Sequence, residues 1–311
     1  MMNIPKRHIT RRNFLETAAL GTAALTLVGP TTVQAAPDLR QYEPNLRDRL
    51  WMWGHFVGSL DGLVDYKVPG GNRLDMADAC EDMGIPNVCI VFFTGQWQPP
   101  FDEYMKQFHK TKRVAWSILY SGPRNYDQMK QDAFDLCDKM PNLVSFYLDD
   151  YFLNDAVPKD GKKVSPARLS LQQLQILHKD MAELKKKIDL SCVLYSNQLH
   201  PAIKGHIDCF DDVSFWTWNA TDLVALENNF NKYREIVPDK PTRLGIYMWD
   251  FGNGKPVAKE LMKLQLEFAL KKYQEKQIDG MIFHCTPLVD IGLEAVEYSR
   301  KWIAEYGDLV R

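Results

Sequence analysis

The chain has 311 residues, of which 45% are hydrophobic and 25% are charged, and its formal net charge at pH 7 is −2. The mildly acidic balance and the lack of a basic cluster argue against nucleic acid as a ligand. Beyond the amino-terminal segment, no stretch has the roughly 20 consecutive apolar residues that span a bilayer, so we expect a mature protein that does not span the membrane.

The amino-terminal residues have the layout of an export signal. Four basic residues lie between positions 6 and 12, and residues 10–15 (TRRNFL) resemble the twin-arginine motif. An apolar stretch of small residues over 17–28 follows, and positions 33–35 (VQA) suit a cleavage site. A membrane anchor is the alternative, but this stretch is shorter than a bilayer span and is followed by Pro30.

We therefore expect a signal peptide over 1–35, passage through the twin-arginine export machinery, and a periplasmic or extracellular mature domain over 36–311. The mature domain would have 34 basic and 39 acidic side chains and a formal charge of −5. Its six cysteines form no C-x-x-C pair, and most lie in apolar strand or helix patterns. Twin-arginine substrates generally cross the membrane already folded, which lets them carry reduced, buried cysteines. We therefore favour buried thiols over disulfides.

In chain order, the mature sequence alternates between apolar runs typical of buried strands and patterns typical of helices. The predicted strands are 50–56, 87–94, 113–120, 143–150, 191–197, 213–219, 243–250 and 280–286. The predicted helices are 73–84, 101–110, 125–139, 166–188, 201–207, 221–236, 256–277 and 289–306. Such alternation indicates a parallel sheet, and eight units in about 250 residues predict a single closed (β/α)8 TIM barrel. A doubly wound open sheet is disfavoured, since no glycine-rich phosphate loop follows the first strand.

The carboxyl ends of the strands form the mouth of such a barrel, where active sites lie. Alternation along the strands, with a period of two, indicates which side chains face this mouth. They are His55, Asp149, Tyr195, Asn197, Trp218, Trp249 and His284. Asp150 begins the loop after the fourth strand and Asp250 ends the seventh. Trp51, Trp53 and Trp116 are interpreted as barrel core.

Aromatic rings combined with acids and hydrogen-bonding groups suit a carbohydrate ligand. The C–H faces of a sugar stack on Trp or Tyr, and its hydroxyls bond to Asp, Asn and His. Seven of the eight tryptophans fall in predicted strands or strand-to-helix loops. We therefore expect an oligo- or polysaccharide ligand. The expected substrate-binding residues are His55, Tyr195, Asn197, Trp218, Trp249 and His284.

Two carboxyl groups are the usual requirement for hydrolysing a glycosidic bond, about 5–5.5 Å apart for retention and about 6.5–9.5 Å for inversion. Neighbouring residues on a strand point to opposite faces, so Asp149 or Asp150 is expected to pair with an acid across the mouth, with Asp250 as the leading partner. The predicted catalytic residues are therefore Asp149, Asp150 and Asp250. This chemistry uses no metal and no cofactor.

These features resemble the large superfamily of (β/α)8-barrel glycoside hydrolases at the level of architecture. The resemblance rests on acids at the end of the fourth strand, aromatic residues closing the sixth and seventh, and the export signal. It implies a glycosidase. The chain lacks the terminal glutamate of the D-x-x-D-x-D-x-E run of chitinase-type barrels. Where the largest retaining clan has Asn-Glu and Glu on strands four and seven, this chain has Asp-Asp and Trp-Asp, so no family mechanism transfers.

Two alternatives stay open. His55 and His284, with His200 and Asp149 or Asp150, could hold a metal ion for hydrolysis, although strand one lacks the H-x-H of the metal-dependent amidohydrolases. A non-catalytic sugar-binding barrel would keep the aromatic mouth while lacking a complete acid pair.

The loop over 151–165 is predicted to recognise substrate or to act as a lid.

Overall fold

A computed structural model describes residues 41–93, 99–120, 125–154 and 166–311. The predicted signal peptide and most of the loop over 151–165 lie outside these residues. The described chain forms one closed barrel of eight parallel strands, as predicted. We number the barrel strands β1 (Leu50–Gly54), β2 (Asn87–Ile90), β3 (Arg113–Leu119), β4 (Leu143–Leu148), β5 (Asp189–Tyr195), β6 (Asp212–Trp216), β7 (Thr242–Tyr247) and β8 (Gly280–His284).

Helices alternate with the strands around the barrel, and each strand pairs with its sequence neighbours until β8 closes on β1. The helices are α1 (Met76–Met83), α2 (Asp102–Met105), α3 (Tyr126–Leu136), α4 (Leu171–Ala182), α5 (Lys204–Ile207), α6 (Leu226–Ile236), α7 (Lys259–Gln274) and α8 (Glu294–Tyr306). The closing ladder pairs Trp53 of β1 with His284 of β8. The carboxyl ends of these two strands are therefore neighbours, although they lie at opposite ends of the sequence.

The strands are buried on both faces, as in other parallel sheets covered by helices. Outward side chains such as Phe146 and Leu148 pack under the helices, and inward ones such as Trp51 and Tyr147 fill the barrel. At the amino-terminal end of the barrel, Asp48 accepts hydrogen bonds from both terminal nitrogens of Arg113, at 3.0 and 2.9 Å. The barrel is thus a packed core with polar anchoring at its base.

All eight barrel strands end earlier than predicted, and after β4 and β7 this changes what the following residues do. β4 ends at Leu148, so Asp149 and Asp150 belong to the turn that follows it. β7 ends at Tyr247, and Trp249–Asp250 instead pairs antiparallel with Lys255–Pro256 as a separate two-residue ribbon. The alternation of inward and outward side chains along a strand therefore does not apply to Asp149, Asp150, Trp249 or Asp250.

All six cysteines are free of disulfide bonds, and every one except the half-exposed Cys209 is buried. This agrees with the predicted core thiols. Among the residues that the structure describes, no helix combines the length and the apolar character needed to cross a membrane.

Candidate functional site

A cavity of about 620 Å³ opens at the carboxyl ends of the strands. Eleven of the residues that line it are aromatic, and they form most of its wall and floor: Trp53, Tyr66, Phe92, Phe93, Tyr120, Phe152, Tyr195, Trp216, Trp218, Tyr247 and Phe251. The carboxylates among the described lining residues are Asp149, Asp150 and Asp222. The site therefore combines a ring-rich surface with two adjacent acids at the end of β4.

Asp149 and Asp150 share the turn immediately after β4. Asp150 has a φ of +48°, a left-handed conformation that few non-glycine residues adopt. Its backbone N–H donates a 2.9 Å hydrogen bond to Oδ1 of Asp149. Because the chain leaves the extended conformation here, both side chains reach the same cavity rather than opposite faces of a strand. The turn therefore brings together two carboxyl groups that strict alternation would separate.

The environment of Asp149 favours its protonated form. Burial raises the pKa of this carboxyl well above its usual value, and the neighbouring charge of Asp150 raises it further. The hydrogen bond from the Asp150 N–H and the more distant Arg168 guanidinium act in the opposite direction but do not offset these effects. A carboxyl whose pKa is raised in this way is better suited to act as a general acid than an ordinary aspartate is.

Asp150 is held by two contacts, one to its side chain and one to its backbone. The hydroxyl of Tyr195, at the end of β5, donates a 3.1 Å hydrogen bond to Oδ1 of Asp150. The Arg168 Nε donates a 2.7 Å bond to the backbone carbonyl of Asp150. A hydrogen bond also links the hydroxyls of Tyr195 and Tyr247, and burial raises the pKa of both phenols well above the ordinary value. A line of hydroxyl groups thus runs from β7 to the Asp150 carboxylate.

Aromatic side chains from three loops form the outer wall. The Trp218 ring lies 6.0 Å from Phe251 and 6.3 Å from Tyr66, measured between centroids. Trp249 does not line the cavity; its indole N–H donates a 2.9 Å hydrogen bond to the Tyr66 carbonyl. Trp249 therefore braces the loop that carries Tyr66, while Trp218 is half-exposed to the cavity.

Two histidines lie at the floor, where β1 and β8 meet. The ring centroids of His55 and His284 are 5.6 Å apart, and both residues line the cavity. Burial lowers the pKa of His55 to about 4, and burial together with His55 lowers the pKa of His284 well below its usual value. Both imidazoles are therefore neutral at pH 7. Trp53, interpreted from the sequence as core, also lines this floor.

Asp250 occupies a different environment from the one expected of it. It is 1% exposed and is not among the residues that line the cavity. Its Oδ1 accepts bonds from the backbone N–H groups of Ala220 and Asn253, both at 3.2 Å. The Asn253 side-chain amide donates to both carboxylate oxygens, at 3.0 and 2.9 Å. The carboxylate is thus engaged in holding a turn, and the expected pairing across the mouth with Asp149 or Asp150 is not formed.

The structure brings together most of the residues predicted from the sequence. The predicted residues that line the cavity are His55, Asp149, Asp150, Tyr195, Asn197, Trp218 and His284. The ligand set expected for a metal is not assembled, because Nδ1 of His200 caps the Ala202 N–H at 3.1 Å and His200 does not line the cavity. His55 and His284 are joined instead by Cys285.

Several lining residues had no distinctive sequence signal. Tyr66 lies in a loop. Phe93 and Arg168 fall in the predicted strand 87–94 and the predicted helix 166–188, but both lie in irregular chain outside β2 and α4. Arg168 lies close to Asp150 because Phe152 and Ala167 form an isolated antiparallel bridge. The contact between Arg168 and Asp150 depends on the path of the chain between them, which no sequence pattern indicates.

No family model matches the sequence, and no curated protein matches it. Solved structures match in fold. The catalytic domain of a chitinase from Pyrococcus furiosus aligns with a TM-score of 0.49 at 12% identity, covering 85% of this chain and 97% of that one. A chitinase catalytic domain from the fern Peteris ryukyuensis gives 0.44 at 11% identity, covering 82% and 98%.

The β-galactosidase of the psychrophilic Marinomonas ef1 aligns with a TM-score of 0.51 at 9% identity, covering 83% of this chain and 59% of that chain. Glycoside hydrolases with (β/α)8 barrels are thus among the structural neighbours. At identities this low the likeness shows the fold alone, and one barrel fold supports many chemistries.

Proposed function

We propose that this protein is a glycoside hydrolase that acts on an oligo- or polysaccharide. The observation that carries the proposal is the pair of adjacent carboxyl groups at the end of β4, which face one aromatic-walled cavity and have different surroundings. The pKa of the partly buried Asp149 is raised well above its usual value, whereas Asp150 accepts a hydrogen bond from Tyr195. Such an asymmetric pair is the usual way to obtain an acid and a base or nucleophile from two carboxyls.

In the proposed reaction, Asp149 donates its proton to the glycosidic oxygen as the bond to the anomeric carbon breaks. Asp150 then serves as the base that activates water, or as the nucleophile, and takes part in stabilising the positive charge that develops on the sugar ring. Tyr195 fixes the orientation of Asp150, and Arg168 holds its backbone. This assignment replaces Asp250, whose oxygens are already engaged in a turn.

The aromatic wall supports a sugar ligand. The rings of Trp218, Tyr66 and Phe251 offer apolar faces on which the C–H faces of a pyranose can stack. Asn197 supplies polar atoms for hydroxyl groups at the same cavity, and His55 and His284 line its floor. Most small-molecule sites have this composition, an apolar surface with a few placed polar groups.

A panel of aryl glycosides and oligosaccharides tests the proposal, with release of product as the measurement. We expect Asp149→Asn and Asp150→Asn each to lower kcat/KM by about 10²–10⁴-fold, the range typical of lost acid–base catalysis. Asp222→Asn is the matched control, because this acid is exposed at the same cavity. The anomer released first, followed by proton NMR, distinguishes retention from inversion.

Asp250→Asn separates the two interpretations of the acid pair. If Asp250 only braces its turn, this variant loses stability and keeps most of its kcat. If the variant still folds and loses as much kcat as Asp149→Asn does, Asp250 is one of the two catalytic acids.

A non-catalytic sugar-binding barrel is the second candidate. The observation that favours it is that no carboxylate among the described lining residues faces the β4 turn from β7. It predicts retention of the protein on a polysaccharide matrix, lost in Trp218→Ala, with no turnover of any glycoside in the panel. Turnover that depends on Asp149 would exclude it.

We also propose that the chain is exported by the twin-arginine pathway, because residues 10–15 (TRRNFL) precede an apolar stretch and a cleavage-like site. Replacing Arg11 and Arg12 with lysine is expected to leave the precursor in the cytoplasm, as followed by fractionation and immunoblotting. Normal processing of that variant would contradict the proposal.

A further inference from the structure

Two imidazoles and one thiol converge where the barrel closes. His55 follows β1, His284 ends β8, and Cys285 follows it. One ligand atom from each of these three residues lies within 4.8 Å of the other two. His55 and Cys285 are buried, and His284 is only partly exposed at the cavity floor. None of the proposed glycosidase chemistry uses Cys285.

The backbone fixes the positions of the three residues. The ladder between β1 and β8 pairs His284 of the cluster with Trp53, two residues before His55. Beyond it, Thr286 accepts a 2.9 Å hydrogen bond from the His55 N–H through its hydroxyl oxygen, and its hydroxyl donates a 2.6 Å bond to the His55 carbonyl. This reciprocal pair of bonds joins the two strand ends. The ligand atoms are therefore presented from the joined carboxyl ends of two neighbouring strands.

The orientation of His55 leaves a nitrogen lone pair available. Its Nδ1 lies 3.2 Å from the Val91 carbonyl oxygen, which can only accept, so Nδ1 must carry the proton and Nε2 must be unprotonated. Metal-binding histidines are commonly held in this way, by a carbonyl that accepts from the other ring nitrogen. Within the described chain, the buried Nδ1 of His284 has no hydrogen-bond partner.

The second coordination layer also suits a metal. The His284 ring lies 4.8 Å from Phe251 and 4.9 Å from Tyr247, measured between centroids. His55 packs at 5.1 Å from Phe93. An apolar shell of this kind limits competition from water, which strengthens coordination to the few polar atoms inside it.

We propose that His55, His284 and Cys285 form a binding site for one Zn²⁺-class cation. Two nitrogen ligands and one thiolate suit zinc, with bond lengths of about 2.0–2.1 Å to nitrogen and about 2.3 Å to sulfur. Ligand atoms around such an ion lie roughly 3.3–3.7 Å apart, so the observed limit of 4.8 Å requires shifts of about an ångström. Binding exchanges the thiol proton for the metal, and the proton leaves to solvent.

The ion would keep a position open toward the cavity, since His55 and His284 both line it. Three protein ligands with one open position are typical of zinc sites that meet a substrate or water. The inference does not depend on the glycosidase proposal. Its test measures coordination and not turnover, so the two can fail separately.

Cobalt substitution in the full-length chain provides the test. After the chain is stripped with a chelator and dialysed, one equivalent of Co²⁺ is expected to give the near-ultraviolet charge-transfer absorption of a cobalt–thiolate bond. One equivalent of Zn²⁺ is expected to abolish this absorption. Elemental analysis after dialysis against zinc should then give one zinc per chain.

Two variants and one matched control assign the ligands. Cys285→Ser is expected to remove the charge-transfer band, and His55→Gln is expected to weaken cobalt binding by at least about tenfold. Cys209→Ser is the control, because this half-exposed cysteine lies after α5 and outside the cluster. It should bind cobalt as the parent chain does.

The proposal is overturned if the parent chain gives no thiolate band, or if Cys285→Ser retains that band. If Cys285→Ser does not fold, the parent chain decides the question. X-ray absorption at the zinc edge is then expected to show one sulfur at about 2.3 Å with nitrogen neighbours at about 2.0 Å. A first shell without sulfur would overturn the proposal.

Discussion

The left-handed residue at the end of β4 shapes the candidate site. With a φ of +48°, Asp150 bends the chain directly after Asp149 and turns two successive side chains into one cavity. Such a conformation costs of order 1 kcal/mol or more for a residue with a Cβ atom, and strained residues of this kind cluster at functional sites. Asp150 tolerates it better than most residues would, because a short polar side chain is among the least disfavoured there.

The charge of Asp150 should hold the pKa of Asp149 up. Asp150→Asn removes a like charge, so we expect the Asp149 pKa to fall, although burial keeps it above the usual value. Carbon-13 NMR titration of the labelled carboxyls measures this without any need for activity. Asp222→Asn, at the exposed rim, should leave the pKa of Asp149 unchanged. An Asp149 pKa that does not respond to Asp150→Asn would contradict the electrostatic account.

At the scale of elements, β6 and β7 fit together because one of them lacks a side chain. A Cβ atom built on Gly245 would lie 2.0 Å from the ring of Trp216, so the indole packs directly against the β7 backbone. Trp216 donates a 2.7 Å hydrogen bond from Nε1 to the Ser214 hydroxyl, and its ring lies 5.9 Å from His284. The glycine therefore makes room for a tryptophan that forms part of the cavity floor.

Gly245→Ala should consequently displace Trp216. We expect a loss of about 1–3 kcal/mol in the free energy of unfolding, the usual cost of overpacking a filled core. Urea denaturation followed by tryptophan fluorescence measures it. Gly205→Ala is the control, because a Cβ there meets only Leu171 at 3.7 Å, and a small gain is expected in that helix. Equal stability of Gly245→Ala and the parent would show that the ring has room to move.

At the scale of the whole molecule, a buried ion pair anchors the base of the barrel. Asp48 precedes β1, and its carboxylate accepts hydrogen bonds from both terminal nitrogens of Arg113 on β3. It also forms an ion pair with the Lys112 ammonium at 2.6 Å. Burial alone would raise the Asp48 pKa, but the hydrogen bonds from Arg113, Lys112 and the Glu43 N–H outweigh it and lower the pKa to about 2. The Asp48 carboxylate must therefore stay ionised to keep these contacts at the amino-terminal end of the barrel.

This pair predicts a specific loss of stability in acid. The folded-state pKa lies below the unfolded value, so the contribution is present above about pH 4 and is lost as pH falls through about 2, an effect of about 2 kcal/mol. In Asp48→Asn this pH dependence should be absent, with a cost of about 3–5 kcal/mol at pH 7. Denaturant unfolding at several pH values measures both.

Asp308→Asn is the matched control, since this acid pairs with Arg47 while 82% exposed. An exposed pair of this kind contributes about 0–1 kcal/mol, so little change is expected. The same acid dependence in Asp48→Asn as in the parent chain would show that another group is responsible.

The barrel could be predicted from the sequence because its signals are local and repeated eight times. Apolar runs and helical patterns are set by residues that are near one another in the chain, and closure follows from their number. The same reasoning placed His55, Tyr195 and His284 at the cavity, since each lies at or next to the carboxyl end of a regular strand. It failed at Trp249 and Asp250, because the chain after β7 turns into a separate antiparallel ribbon, which no periodicity along β7 indicates.

The sequence by itself therefore determined the architecture of this protein and the rim on which polar side chains collect. Only the tertiary structure decided which of them act together. The conformation of Asp150, the engagement of Asp250 by Asn253, and the approach of Cys285 to His55 across the closing ladder depend on contacts between distant parts of the chain. Such contacts arise from packing of the whole barrel, and no local pattern encodes them.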